Sequence, residues 1–440
     1  MFYKSLKSSS KLVNFEEAVK KGLAEDGGLF FPEKIKKLNK EFIENLEEFS
    51  NIEIAYEVIK QFIGDEINEN DLKNIIKNTI DFDFPLIDIE KNIKSLELFH
   101  GPTLAFKDVG ARFMANCLGH FNKKSDKTNT VLVATSGDTG AAVANGFLGV
   151  KGTNVVILYP KNMVSEIQEK QLTTNEKNIT AFRVDGTFDD CQKMVKKAFT
   201  DKELNNELNL TSANSINVAR WLPQMFYYFF AIKHLKTNKK IVFSVPSGNF
   251  GNICAGAIAM KLGLPIDQFV ASTNSNDTIP RYLNTKNYNP KKTIPTISNA
   301  MDVSNPSNFI RIEEIFQDFN ELKNCFSSYS FNDDKTLKAV KSVYKNSNYI
   351  LDPHGAVGYL GLKKFLTNNS DFIGIFLETA HPIKFSNHIE NELDLKLKIP
   401  QSISKIISRK KRYIDIENYS NFKRKILNMG LIKWKTFRWF

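Results

Sequence analysis

The chain of 440 residues is short of several things that would point to other classes of protein. It has four cysteines, Cys117, Cys191, Cys254 and Cys325, and they are scattered. That spacing suits neither a paired metal site nor a disulfide framework, and it fits reduced thiols in a cytoplasm. No apolar run approaches the ~20 residues a bilayer span needs, so no membrane segment is expected. Residues 1–13 carry lysines but no apolar core and no small-residue cleavage site, which argues against a secretory signal. There is no internal repeat and no long linker. There is also no GxGxxG fingerprint and no GxxxxGKS or GxxxxGKT loop, so nucleotide binding is disfavoured.

Acidic residues are also in deficit, and the net charge is +11. Such a balance invites a nucleic-acid or other polyanion partner. The charge is not spread evenly. Eleven basic residues and two acids follow Ser404, which puts +9 of the net charge there. The body of the chain is nearly balanced, so residues 401–440 read as a solvated basic tail. A polyanion-binding protein using that tail is the non-enzymatic alternative. The closing stretch 430–440, with Trp434 and Trp439, carries no functional motif, and the chain beyond about Asn428 is expected to be dispensable for catalysis.

What is present is ordinary soluble composition, 42% hydrophobic and 25% charged, over a length that suits two or three domains. Residues 1–92 read as a mainly helical leading module. Asn14 or Ser10 can cap a first helix whose stripe is Phe15, Val19 and Leu23, and 52–63 and 72–80 are further helix candidates. From about residue 93 to 400 the pattern changes to α/β. Short runs rich in β-branched residues, at 131–134, 155–159, 180–184, 241–245, 269–272 and 372–377, alternate with helical periods at 163–173, 188–199, 217–235 and 253–262. Such alternation predicts parallel sheets covered on both faces, with sites beyond the carboxyl ends of strands. A smaller subdomain is expected at about 125–205. The most loop-like interior stretch is 288–308.

Within this frame, His100-Gly101-Pro102-Thr103-Leu104-Ala105-Phe106-Lys107-Asp108 stands out. Gly101-Pro102 forces a turn or extended chain. Val109, Phe113, Cys117 and Phe121 then recur at helical spacing. One lysine is thereby set at a loop-to-helix start behind apolar Leu104, Ala105 and Phe106. An amine that titrates near ~10.4 in water needs such a site to react near neutrality. Bonding to an aldehyde cofactor is one chemistry that wants this. A second motif, Ser247-Gly248-Asn249-Phe250-Gly251-Asn252, follows an apolar run and opens an Ala- and Gly-rich helix. Its backbone can approach a phosphate monoester at a helix N-terminus. Ser136-Gly137-Asp138-Thr139-Gly140 offers amides and short polar side chains suited to a carboxylate. Asn214-Ser215-x-Asn217-x-x-Arg220 combines amide and hydroxyl donors with a cation, a set that suits a second phosphate. Thr379 follows the run 372–377. His354 and His381, each beside a proline, are possible acid/base groups.

These motifs, with GLAEDGGLFFP at 22–32 and Glu378-Thr379-Ala380-His381-Pro382, occur in an order that resembles the threonine synthase family up to about residue 390. The resemblance implies two parallel-sheet α/β domains of the pyridoxal-phosphate fold type II kind behind an N-terminal helical module. It implies pyridoxal 5'-phosphate on Lys107, its phosphate held by Gly248, Asn249, Phe250, Gly251 and Asn252, and its pyridine nitrogen facing Thr379. Ser136, Gly137, Asp138 and Thr139 would grip the substrate, and Asn214, Ser215, Asn217 and Arg220, with Thr139, its phosphate. Many members of the wider fold type carry asparagine where Asp138 stands. The implied reaction converts O-phospho-L-homoserine and water to L-threonine and phosphate. It proceeds by γ-elimination and addition at Cβ in a cytoplasmic monomer or homodimer, with no nucleic acid, membrane or metal involved. A related phospho-lyase or dehydratase giving a keto acid is the alternative within enzymes.

Overall fold

A computed structural model describes residues 1–7, 10–123 and 127–436, with side chains to Met429. The chain opens with strand β1 (Tyr3–Ser5), paired antiparallel with β2 (Phe30–Pro32). Between them lies the helix Phe15–Lys21, capped by Asn14, whose side chain accepts from the Glu17 amide at 2.9 Å. Helices Asn51–Ile63 and Glu69–Thr79 complete the leading module. Ser50 and Glu53 form a reciprocal capping box on the first, and Ile54, Val58, Ile59 and Phe62 bury its inner stripe. That stripe packs into the same hydrophobic core as the α/β body.

The hairpin β3 (Leu86–Glu90) and β4 (Ile93–Glu97) enters the larger sheet. Next, β5 (Asn129–Ala134), β6 (Thr153–Pro160), β7 (Ile179–Val184) and β8 (Leu210–Ser212) build the smaller one. Then β9 (Lys240–Pro246), β10 (Gln268–Thr273), β11 (Phe326–Ser330) and β12 (Phe372–Glu378) return to the larger sheet, and β13 (Ile414–Ile416) closes the smaller. The larger sheet has the order β11-β10-β9-β12-β4-β3 and is parallel except for β3. The smaller has the order β13-β7-β6-β5-β8 and is wholly parallel. Central strands such as β5 and β9 are buried almost throughout, as sheets covered on both faces require.

The six interior runs expected as strands are all strands. The hairpin β3–β4 and the short strands β8, β11 and β13 come in addition to them. The stretch 288–308 holds one short 3-10 turn, Asn299–Met301, and is otherwise without helix or strand.

The expected basic tail is different. Over 401–429 the chain is folded against the smaller sheet. β13 adds to β7, and Arg183 holds Asp415 through two bonds of 2.7 and 3.1 Å. Phe422 is fully buried edge-on to Phe182. Three of the basic residues find acids on the body: Lys423 reaches Asp201 at 2.8 Å and Glu203 at 2.7 Å, Arg412 reaches Glu176 at 2.9 Å, and Lys411 pairs with Glu169. Part of the charge there is matched by partners the fold supplies, while Lys405, Arg409 and Lys410 stay exposed. The side chains of 430–440, Trp434 and Trp439 among them, lie outside the described residues. Among the described residues no helix is long and apolar enough to cross a membrane.

Candidate active site

A cleft lies between the sheets, beyond the carboxyl ends of β5, β9 and β12. Lys107 begins the helix Lys107–Asn122 and faces this cleft. Its backbone is fixed from several sides. Leu104 takes a φ of +58° to turn the chain. The Phe106 amide donates to the Thr379 carbonyl at 2.9 Å, and the Tyr227 hydroxyl donates to the Phe106 carbonyl at 2.5 Å. Asp108 accepts from the Thr103 amide at 2.9 Å and the Thr103 hydroxyl at 2.6 Å, which locks the preceding turn. Gly101 is needed there, because a Cβ would stand 2.5 Å from the Asp108 carboxylate.

Burial pushes the Lys107 amine down to about 8, against the pull of Asp138 and with help from Lys384 and Arg220. Desolvation is thus the main cause, ahead of any field from the helix start. Asp138 lies with one oxygen 4.0 Å from the Lys107 Nζ, too far for a hydrogen bond. Burial would raise this carboxyl, but Lys384 and then Lys107 hold it well below the usual carboxylate range. Lys384, which belongs to none of the motifs picked out in the sequence, contacts the other oxygen at 2.6 Å with its side chain wholly buried.

The glycine loop follows β9. Phe250 adopts a left-handed φ of +59° and opens the helix Gly251–Lys261, which no side chain caps. Its first-turn amides are therefore available to an anion. A Cβ on Gly248 would come within 2.6 Å of the Met301 backbone. The Asn252 side-chain nitrogen is buried at the cleft wall, without a partner among the described residues. An uncapped helix start, an orphaned buried donor and a lysine at about 8 together fit a phosphorylated aldehyde such as pyridoxal phosphate. The Asn249 side chain is committed to Ser215 and to the Ser307 amide, so it shapes the loop and leaves ligand contact to its backbone. Thr379 faces the same cleft, and its hydroxyl has no protein partner among the described residues.

Ser136, Asp138 and Thr139 line the facing wall at the start of the helix Asp138–Gly146, where the Thr135 hydroxyl accepts from the Gly137 amide at 2.9 Å and the Gly140 amide at 2.8 Å. Gly137 lies behind them with a φ of +132°, and a Cβ there would meet the Gln168 side chain at 2.5 Å. Asn214, Ser215 and Arg220 line the cleft as well. Arg220 is buried, donates through Nη1 to the Ala213 carbonyl at 2.5 Å, and is pushed down to about 10 by burial, so it remains a cation at neutral pH. Asn217 departs from expectation. Its amide donates to the carbonyls of Val19 (2.8 Å) and Ser212 (3.1 Å), its oxygen accepts from the Ala219 amide, and it does not reach the cleft. It ties the N-terminal helix to this loop, so contact with the substrate phosphate is not its role here.

Of the two histidines, His354 lines the cleft, with Nδ1 2.6 Å from Asp352 and Nε2 accepting from the Ala300 amide at 3.3 Å. His381 stands off the cleft wall, accepts from the Ile383 amide, and is pushed down to about 4, chiefly by burial. A wider groove adjoins the cleft and shares Ala134, Gln192, Asn214, Asn249 and Val303 with it.

Residues 93–371 match the pyridoxal-phosphate dependent enzyme family, and the fold is that of this class. Residues 2–80 match the family described as threonine synthase N terminus, and 355–426 that described as threonine synthase, C-terminal. A threonine synthase of Buchnera aphidicola (subsp. Baizongia pistaciae) is 48% identical over 403 residues, 91% of this chain and 93% of that protein. The crystal structure of threonine synthase from Escherichia coli superposes with a TM-score of 0.92 at 40% identity, covering 97% of this chain and all of that one. The structure of PLP-bound threonine synthase from Brucella melitensis superposes at 0.90 with 32% identity, covering 98% and 99%. The chain belongs to the threonine synthase family of pyridoxal-phosphate-dependent lyases.

Proposed function

We propose that this cleft converts O-phospho-L-homoserine and water to L-threonine and phosphate, with Lys107 as the residue that bonds the cofactor and moves protons. The observation that carries the residue assignment is a buried lysine, at about 8, between an uncapped helix start and a partly uncommitted buried arginine. The bound cofactor supplies an electron sink for charge that forms on the substrate carbons. Amides of Gly251 and Asn252, with the Asn252 side chain, hold the cofactor phosphate. Thr379 presents a neutral hydroxyl to its ring nitrogen. Ser136, Asp138 and Thr139 orient the substrate carboxylate end. Arg220 and Ser215 take the substrate phosphate, and Asn214 supports them, its amide donating to the Ala134 carbonyl at 3.0 Å. Lys107 would serve as the base and acid that moves protons at Cα and Cβ. Burial of the whole set keeps stray water from diverting the reaction to a keto acid.

The reading includes a cytoplasmic enzyme acting as a monomer or homodimer, in line with four free cysteines, three of them fully buried. The test is product analysis. Full-length protein with pyridoxal phosphate and phosphohomoserine should release threonine and phosphate in equal amounts, and Lys107→Ala should release neither. A keto acid as the main product would favour the lyase alternative.

A further inference from the structure

Lys384 lies in the 3-10 turn Pro382–Phe385 just after β12, and its side chain is wholly buried. Among the described residues its ammonium makes two polar contacts. One is the 2.6 Å ion pair with Asp138, and the other is a bond of 3.0 Å to the Thr103 carbonyl. Asp138 is itself nearly inaccessible, and its paired oxygen also accepts from the Gln168 side chain at 2.9 Å. One carboxylate oxygen is thus saturated by Lys384 and Gln168, while the other faces Lys107 at 4.0 Å without bonding it.

A buried ion without a partner is strongly unfavourable, so Asp138 and Lys384 must be kept as a pair. The pair is electroneutral. It also reaches the loop that presents Lys107, because Thr103 is clamped on its other side by Asp108, the neighbour of Lys107. The charged and titratable groups facing Lys107 are Asp138 from the helix Asp138–Gly146, Lys384 from the turn after β12 and Arg220 from the helix Val218–Trp221, with His354 on the cleft wall. Asp108 lies on its own helix. Asp138 is the one anion in this set that faces the cleft.

Resting on the function proposed above, we infer that Lys384 is a positioning residue for the reactive lysine. It locks Asp138 as a fixed, already neutralised counter-group, so that Lys107 feels a carboxylate nearby without being captured by it. A free carboxylate at that distance would pin Lys107 as an ammonium ion. A free Lys384 cation would do the reverse and hold the amine unprotonated.

The two halves of the pair therefore act in opposite senses, which a packing role would not produce. The experiment is a double-mutant cycle on full-length protein loaded with pyridoxal phosphate, titrating its visible absorption against pH. Lys384→Met should raise the midpoint by about one pH unit or more, a tenfold change in proton affinity. Asp138→Asn should lower it by a similar amount. The double variant should return close to wild type, and Lys384→Arg, which keeps the charge, should stay there. A second readout uses the cofactor-stripped full chain. The pH dependence of acetylation of Lys107, read by peptide mapping, should fall in the same order.

Midpoints of Lys384→Met and Asp138→Asn that do not move, or that move the same way, overturn the inference. Should Lys384→Met fail to fold, a failure of Asp138→Asn to lower the midpoint overturns it. A wild-type protein that binds no pyridoxal phosphate would overturn the parent reading instead, and the acetylation series would still decide this one.

Discussion

Replacing Arg220 by leucine removes a cleft cation that is hydrogen-bonded to no acid among the described residues. Its Nη1 is spent on the Ala213 carbonyl, and Gln224 anchors its backbone carbonyl at 2.9 Å. The guanidinium is therefore fixed in place, with donors to spare for a dianion. At about 10 it keeps its charge by roughly a thousandfold margin at pH 7. A charge-assisted hydrogen bond contributes about 1.5–3 kcal/mol, so losing one should weaken phosphohomoserine binding roughly ten- to a hundredfold. The leucine also leaves the Ala213 carbonyl unpaired, at about 1–3 kcal/mol of stability. Binding must therefore be measured below the lowered melting temperature. Titration calorimetry with phosphohomoserine, and inhibition by inorganic phosphate, should both show the loss while the visible cofactor band keeps its intensity. Arg220→Lys, which keeps the charge and loses the fork, should lie between the two. Wild-type affinity in Arg220→Leu would mean that the substrate phosphate binds elsewhere.

Gly110→Ala should disturb the same site indirectly, because a Cβ there would stand 2.4 Å from the Arg220 carbonyl; KM for phosphohomoserine should rise with little change in cofactor content. Phe422→Ala should cost about 3–5 kcal/mol in denaturant unfolding, since the ring is fully buried against the smaller sheet, and a change under about 1 kcal/mol would show that the C-terminal segment is not part of the fold. The rate at which cofactor-stripped protein takes up pyridoxal phosphate should rise with pH and level off above about 8, because only the neutral amine attacks and burial has brought it there; a rise that continues past pH 10 would mark an unperturbed lysine.

Much of the site is legible in the sequence because its signals are local. Lys107 sits between a Gly-Pro turn and a helical stripe, and the loop 247–252 lies between a β-branched run and a small-residue helix. In each case the neighbours that create the chemistry are neighbours in sequence. Lys384 is hidden for the opposite reason. Its partners Asp138 and Thr103 are over two hundred residues away, and a lysine in Pro-Ile-Lys-Phe looks like any surface lysine until the fold buries it. Asn217 misleads because a polar residue at a helix start has the same pattern whichever way its amide turns, and here it turns to the carbonyl of Val19. The strand β13 is three residues in a charged segment, and only the exposed edge of β7 makes it a strand. Asp415 and the lysines around it look like solvated charge because Arg183, Asp201 and Glu203 lie in a distant part of the chain.

The most direct measurement is turnover of O-phospho-L-homoserine in water enriched in oxygen-18 by the full-length protein loaded with pyridoxal phosphate. Elimination followed by water addition at Cβ puts one heavy oxygen into the threonine hydroxyl and none into the released phosphate. Label in the phosphate, with homoserine as the organic product, would mean simple phosphate hydrolysis and would contradict the assignment of this cleft.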